Sequence, residues 1–224
     1  MGKTIELSRV RQGEHFTLDG VEWVKLDETH MGAFVVSSDA LPDNCPFESD
    51  DDREDANNFC GSHIAKEMER WLRDQHKPIF DATLERPIDL TTMDGMTDYG
   101  TPLAVARLLT IDDYRKYRRF IPLASRPFWL ATGWTTKSSP RSDVSSAYYI
   151  YTDGTVDYGN VYSALFAPRP ALYLKSSILV SIETEEEQKS IRDYESEQFL
   201  AAAEQQQAQV LRRHPDPDVP KAGQ

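Results

Sequence analysis

Three runs in the second half of the chain decide the fold: FWLATG at residues 128–133, YYIYTDGTV at 148–156 and RPALYLK at 169–175. Aromatic and aliphatic residues dominate each run, which is the composition of buried β-strands. The pair Asp153-Gly154 interrupts the second run. It predicts a hairpin with a two-residue turn, because Asp-Gly tolerates the positive φ angles of such a turn. We therefore predict one antiparallel sheet from all three runs, which we call the closing sheet.

The N-terminal part of the chain predicts a second antiparallel sheet. Short β-rich runs at residues 16–18, 20–26 and 33–37 alternate with turn residues. Within the middle run, the period of two assigns Trp23 to one face and Val24 to the other. This pattern is typical of a small antiparallel meander.

Two short helices are predicted between these sheets. Apolar residues recur at helical spacing over residues 64–72, Ser62 can cap this helix, and we expect it to end at Gln75. Thr110 can cap a second helix, which carries acidic residues in its first turn. The combination of antiparallel strands with separate short helices predicts an α+β fold.

The C-terminal part of the chain has a different composition. Residues 183–213 begin with Glu, end with Arg and are filled with Ala and Gln, which predicts a single helix with a weak apolar stripe. The prolines of residues 214–224 cannot continue that helix. We therefore predict a globular domain over 1–181, a helical tail over 182–213 and a disordered end over 214–224. The oligomeric state stays open.

The overall composition predicts a folded, acidic protein. Of the 224 residues, 39% are hydrophobic, and the formal net charge is −12. A charge of that sign repels a phosphate backbone, so direct nucleic-acid binding is disfavoured. No apolar run reaches the roughly 20 residues that span a bilayer, and no export pattern opens the chain. We expect no membrane insertion, a location in the cytoplasm of a bacterium or phage-infected host cell, and reduced thiols at Cys45 and Cys60.

The sequence contains no strong catalytic motif. Its five histidines lack the spacing of a metal site, and no glycine-rich phosphate-binding loop is present. His63 follows Cys60 closely and could stand near a thiolate, but no third, orienting group is evident. We predict a non-enzymatic protein with no cofactor and no metal. An enzyme of unknown chemistry is retained as an alternative.

The order of the motifs resembles the DUF6273 family of bacterial and phage proteins, which has no assigned chemistry. The resemblance rests on the strand at 22–26, on Asn57-Asn58-Phe59 before a helix ending in Trp71-Leu72, and on Arg169-Pro170-Ala171-Leu172. It implies a C-type-lectin-like fold whose loops between closing strands form a recognition surface. Family members often carry Arg where this chain has Ala131, so a role of that Arg does not carry over. Arg169 is expected to be structural and to anchor a loop carbonyl or carboxylate.

Two polar loops of the closing sheet form the predicted partner-binding surface. Aromatic and Arg side chains in polar loops are typical of binding hot spots, because they offer contact area at low entropic cost. The partner is expected to be a protein, with a glycan as the alternative. In the competing interpretation Trp134 and Phe166 belong to the core. The predicted contact residues are Trp134, Lys137 and Arg141 in residues 132–146, and Tyr158, Asn160 and Tyr162 in residues 158–167.

An acidic run at residues 48–55 predicts a solvated loop, because so many carboxylates cannot be buried together. It supports an alternative function as a phage or mobile-element accessory protein. Such an anti-CRISPR-like protein would inhibit a host defence complex by offering an acidic surface to a nucleic-acid groove. Calcium binding is a further alternative, although the EF-hand spacing is missing. The residues of this acidic surface are Asp50, Asp51, Asp52, Glu54 and Asp55.

Overall fold

The computed structural model describes residues 3–50 and 52–183. Thr4–Ile182 form one compact unit. The helices are α1 (His63–Gln75), α2 (Lys77–Ala82) and α3 (Ile111–Tyr117). The strands are β1 (Lys3–Glu6), β2 (His15–Leu18), β3 (Val21–Thr29), β4 (Gly32–Ser37), β5 (Arg86–Pro87), β6 (Leu103–Ala104), β7 (Phe128–Gly133), β8 (Ser146–Ile150), β9 (Val156–Asn160), β10 (Ala171–Leu174) and β11 (Leu179–Ile182).

Mostly antiparallel sheets and a few helices make this an α+β fold, as the sequence predicts. The largest sheet has the strand order β1-β11-β2-β3-β4-β10, a second has the order β7-β8-β9, and β5 pairs with β6. Both faces of the largest sheet are covered. Trp23 and Val35 belong to one buried cluster with α1, whereas Val24 and Val36 belong to another with α3.

The predicted N-terminal meander is confirmed. Strands β2, β3 and β4 pair antiparallel in chain order. Asp19 and Gly20 form the two-residue turn between β2 and β3, and both have positive φ, at 51° and 76°. Two consecutive positive φ angles define a turn whose twist matches that of a hairpin. The sequence Asp-Gly therefore sets the register of this hairpin.

The prediction of one closing sheet is wrong. Strands β7, β8 and β9 form the three-stranded sheet, but β10 pairs antiparallel with β4, with Leu172 opposite Val35 and Ala171 opposite Val36. The β-pairing between β7 and the described segment before β10 is limited to an isolated parallel bridge between Phe128 and Ala167. The apolar faces of β10 extend both hydrophobic clusters of the largest sheet, which the sequence pattern of the strand alone does not specify.

The hairpin between β8 and β9 is confirmed, but its turn differs from the prediction. The Tyr151 N–H donates to Thr155 O at 2.9 Å, so three residues lie in the loop rather than two. Only Gly154 among them has a positive φ, at 85°. Three-residue hairpin loops require one residue in the left-handed region, and glycine takes that position here.

Both predicted helices are present with their predicted caps. Ser62 Oγ accepts a hydrogen bond from the Ala65 N–H at 3.3 Å at the start of α1. Thr110 and Asp113 form a reciprocal capping box at the start of α3. Helix α2, with Pro78 in its first turn, is not among the predicted helices. Proline is tolerated in the first turn of a helix, where its missing N–H would have no partner.

The helical tail predicted at residues 182–213 and the disordered end predicted at 214–224 lie outside the described residues, except for residues 182 and 183. Ile182 ends strand β11. Among the described residues, no helix is long and apolar enough to cross a lipid bilayer.

The structural role predicted for Arg169 is confirmed. Its guanidinium is buried and donates to the carbonyl oxygens of Ser37 at 3.1 Å, Pro122 at 3.0 Å and Ser38 at 2.6 Å. The cation also lies over the Phe128 ring, 4.8 Å from its centroid. Burial lowers the pKa of Arg169 to about 10, so it stays charged at neutral pH. One side chain thus ties the end of β4 to the segment before β7.

Replacing this guanidinium by an ammonium tests that role. Arg169→Lys leaves three carbonyl oxygens to a shorter cation that lacks the planar fork, so we expect the free energy of unfolding to fall by about 3 kcal/mol. The measurement is urea denaturation followed by circular dichroism. The exposed Arg141→Lys is the matched control, and equal stability of the two variants would contradict the assignment.

Candidate functional site

A single buried amide holds the loop that follows β7. Asn57 Nδ2 donates to the carbonyl oxygens of Thr135 at 3.0 Å, Asp143 at 3.3 Å and Ser146 at 2.8 Å. Asn57 Oδ1 accepts a hydrogen bond from the Tyr99 hydroxyl at 2.6 Å. Asn57 is fully buried. The two ends of the predicted recognition loop are therefore fixed to the segment before α1.

Carboxylates order the middle of the same loop. Asp98 accepts hydrogen bonds from the hydroxyls of Ser138 and Thr136, the latter at 2.9 Å. These hydroxyls hold the pKa of Asp98 below its usual range. Ser139 Oγ in turn accepts a hydrogen bond from the Thr136 N–H at 3.0 Å. The loop is thus held at several points along its length.

Three aromatic side chains, Trp134, Tyr148 and Tyr158, form what we call the aromatic patch. The Trp134 and Tyr158 rings stack at a centroid separation of 3.9 Å and an interplanar angle of 23°. Tyr148 lies 5.3 Å from Trp134 in a tilted arrangement, directly opposite Tyr158 across β8 and β9. Burial, followed by the nearby Asp94 carboxylate, raises the pKa of Tyr148 to about 12. Tyr158 remains 47% exposed, so the patch reaches the surface.

Trp134 and Phe166, which the sequence left open as either core residues or contact residues, differ in their surroundings. Phe166 is buried and packs on Trp129 at 4.5 Å and Tyr149 at 4.0 Å. It belongs to the core. Trp134 is half-buried: it packs against the hydrophobic cluster that contains Tyr148, and its ring stacks on that of Tyr158.

The remaining predicted contact residues lie around the patch. Asn160 is exposed at the end of β9, and its Oδ1 accepts a hydrogen bond from the Tyr162 N–H at 2.9 Å. Tyr162 is 37% exposed, and Arg141 is exposed near the middle of the first loop. Arg141 and Tyr162 lie in loops as predicted, whereas the prediction of a loop at Tyr158 and Asn160 is wrong, because both residues belong to strand β9 and pair with β8.

Lys137 joins the predicted recognition loop to the predicted acidic surface. Its Nζ lies 2.7 Å from Glu54 Oε2 and 3.4 Å from Asp55 Oδ1. The pair formed with Glu54 holds the pKa of that carboxyl below its usual range. The two surfaces that the sequence suggested as alternatives are therefore neighbours, and part of the acidic charge is compensated.

The acidic run is also more ordered than a solvated loop. Glu48 is buried and pairs with Arg53 at 2.5 Å, which corrects the expectation that this run buries none of its charge. Arg53 donates onward to the carbonyl oxygens of Asn58 at 2.8 Å and Cys60 at 2.6 Å. Asp50 Oδ1 accepts a hydrogen bond from the Asp52 N–H at 3.1 Å. Asp51 lies outside the described residues.

A groove of about 370 Å³ lies beside α1, and we call it the α1 groove. Sequence reasoning missed it, although its helical wall has a signal: four lining residues recur at intervals of four. That spacing places them along one helix face. The lining residues on α1 are His63, Glu67, Trp71 and Gln75, and those opposite are Leu41, Pro42, Asp43, Asn44, Cys45, Pro46 and Pro168.

The two cysteines lie in different environments. Both are free, and Cys60 is exposed whereas Cys45 is buried in the wall of the α1 groove. Burial, followed by the Glu67 carboxylate, raises the pKa of Cys45 to about 11. That thiol is protonated at neutral pH and is a poor nucleophile. Among the described residues, no three His, Cys, Asp or Glu side chains converge to hold a metal ion.

Comparison with known proteins gives no relative. No family model matches the chain, and neither the curated proteins nor the solved structures contain a match.

Removing the buried amide tests its hold on the loop. Asn57→Ala leaves the Tyr99 hydroxyl and three carbonyl oxygens without this partner, so we expect the free energy of unfolding to fall by about 3 kcal/mol. Urea denaturation measures the change. As the control, Asn160→Ala at an exposed position should lower the free energy of unfolding by less than about 0.5 kcal/mol. An equally small loss in Asn57→Ala would show that the Asn57 hydrogen bonds do not stabilise the fold.

Thiol labelling tests the environments of the two cysteines. At pH 8, Cys60 should react quickly with a disulfide reagent, whereas Cys45 should react at least about 100-fold more slowly because its pKa is raised and its sulfur is buried. Stopped-flow absorbance on the native protein and on Cys60→Ser separates the two rates. Both thiols should react at similar rates in urea. A fast phase in native Cys60→Ser would contradict the structure.

Proposed function

We propose that this protein is a non-enzymatic recognition module that binds a partner protein through the aromatic patch. The observation that carries the proposal is the stacking of Trp134 on Tyr158 at 3.9 Å, which supports a half-exposed tyrosine on an edge strand. Large amphipathic rings held in one orientation provide contact area with little loss of side-chain entropy. A glycan that stacks on the same rings is the alternative partner.

The order of the surrounding loop supports this proposal. The amide of Asn57 and the carboxylate of Asp98 hold the loop at both ends and in the middle. A loop that is ordered before binding loses less conformational entropy when the partner binds. Val156, which is 38% exposed, lies on the same face of β9 as Tyr158 and extends the apolar surface.

We further propose that the unit is C-type-lectin-like and related to the DUF6273 family. Support comes from the capped helices α1 and α3 and the strand β7, which follow one another in the order of the family's motifs. Ala131, where that family often carries Arg, is buried within β7. The recognition surface proposed here therefore includes no residue at that position.

The acidic-surface alternative has weaker support. Of its five predicted residues, Glu54 and Asp55 pair with Lys137, and the neighbouring Glu48 pairs with Arg53. Paired carboxylates present less uncompensated charge to a partner that binds nucleic acid. The raised pKa of the buried Cys45 thiol argues against that residue as a catalytic nucleophile. A cytoplasmic protein without direct nucleic-acid binding remains part of this proposal.

The test compares capture of host proteins by immobilised variants. Trp134→Ser/Tyr158→Ser should reduce capture of the partner at least about tenfold, because hot-spot aromatic residues carry most of the binding energy. Asp50→Ser/Asp52→Ser should retain it, and binding should persist at 0.5 M salt, where charge effects are screened within about 4 Å. Quantitative mass spectrometry of bacterial lysate eluates measures both.

Leu179→Ser is the matched control, because Leu179 is an exposed apolar residue on β11, in the other sheet. Loss of the partner in the acidic variant alone would favour the inhibitor alternative. Capture by all variants would refute the aromatic patch as the binding surface, and a glycan array with the same variants tests the alternative ligand.

A further inference from the structure

The α1 groove combines a preformed shape with one sign of charge. Its helical wall spans about 18 Å, because twelve residues of α-helix separate His63 from Gln75 and each rises about 1.5 Å. The opposite wall is fixed by backbone hydrogen bonds, from Leu41 N to Pro168 O at 2.8 Å and from Cys45 N to Phe166 O at 2.9 Å. The groove is therefore part of the fold and needs no rearrangement to accept a ligand.

The charged lining is acidic on both walls. Asp43 lies on the loop wall and Glu67 on the helix, and no Lys or Arg lines the groove. Glu67 Oε1 accepts a hydrogen bond from Arg70 at 2.5 Å, whereas Oε2 has no hydrogen-bond donor among the described residues. A cation with N–H groups complements this arrangement, because it can donate to the carboxylates while its charge is balanced.

An aromatic ring and two amides complete the wall. Trp71 is half-buried, and its ring contacts that of His76 at a centroid distance of 4.4 Å while the residue also lines the groove. An indole ring next to a carboxylate binds an ammonium group better than a neutral group, because the face of the ring attracts cations. Gln75 offers a further acceptor, whereas Asn44 Oδ1 already accepts a hydrogen bond from Arg126 at 3.3 Å. The prolines of the opposite wall suit a hydrocarbon chain.

We propose that the α1 groove binds a small organic cation of the linear polyamine class. The volume of about 370 Å³ lies in the range of small-molecule sites, and the carboxylates on opposite walls suit a ligand with more than one ammonium group. The groove shares no residue with the aromatic patch. This inference therefore stands or falls independently of the proposed function.

The experiment titrates spermidine into the full-length protein by isothermal calorimetry at low salt. We expect saturable binding in the micromolar to millimolar range, weakened about tenfold by Glu67→Gln, because one charge-assisted hydrogen bond is lost. Trp71→Phe should weaken it about threefold, because phenylalanine attracts cations less than tryptophan does. 1,8-Octanediol, which has a chain of similar length without charge, should not bind.

Glu69→Gln is the matched control, because it removes the same charge from the same helix outside this groove. It should change the affinity less than twofold. Equal weakening by Glu69→Gln and Glu67→Gln would show diffuse attraction to an acidic protein and would overturn the proposal.

A second readout locates the ligand without a destabilising change. The indole N–H resonance of Trp71, assigned from its loss in Trp71→Phe, should shift on addition of spermidine more than those of the three other tryptophans. No saturable binding up to 10 mM, or shifts of equal size at all four, would overturn the site. If a basic peptide shifts the Trp71 resonance and spermidine does not, the ligand of the groove is a protein segment, and the polyamine proposal is wrong.

Discussion

The buried amide of Asn57 has its own polar atoms paired in the interior: Nδ2 donates to three carbonyl oxygens, and Oδ1 accepts from the Tyr99 hydroxyl. An unpaired buried polar group costs about 1–3 kcal/mol, so the segments around this amide are stable only in this mutual arrangement. The constraint extends to the neighbouring strand. A side chain at Gly133 would bring its Cβ within 2.9 Å of Asn57, so only glycine lets β7 pass this close. The loop after β7 and the aromatic patch depend on that contact.

The distribution of charge explains why a net charge of −12 says little about any one surface. The acidic run before α1 is compensated by Arg53 and Lys137, and its first carboxylate is buried. In the α1 groove Glu67 pairs with Arg70 through one carboxylate oxygen, and no Lys or Arg lines the groove itself. The number of acidic residues in a stretch of sequence therefore does not give the uncompensated charge of the surface that they form. Side-chain partners decide this, because charges are felt most strongly over a few ångströms.

Strand β9 combines an exposed aromatic surface with a protected edge. Among the described residues it pairs only with β8, and the hydrogen bonds of Tyr151 and Val161 show that the backbone of Tyr158 faces outward. The Asp157 carboxylate accepts the Tyr158 N–H at 2.8 Å. A side chain that occupies an edge donor limits unwanted strand pairing. Recognition at this edge would therefore rely on side chains rather than on an added strand.

Local chemistry let the sequence alone determine the meander, the capped helices α1 and α3, and the hairpin at Gly154. These features depend on residues a few positions apart, as the two-residue turn at Asp19-Gly20 shows. Only the tertiary structure decided that β10 joins β4, that Glu48 is buried and that the face of α1 lines a groove. Leu172 and Val35 are far apart in the chain, and no local pattern encodes which apolar strand will cover which face. That choice depends on how all the buried surfaces fit together.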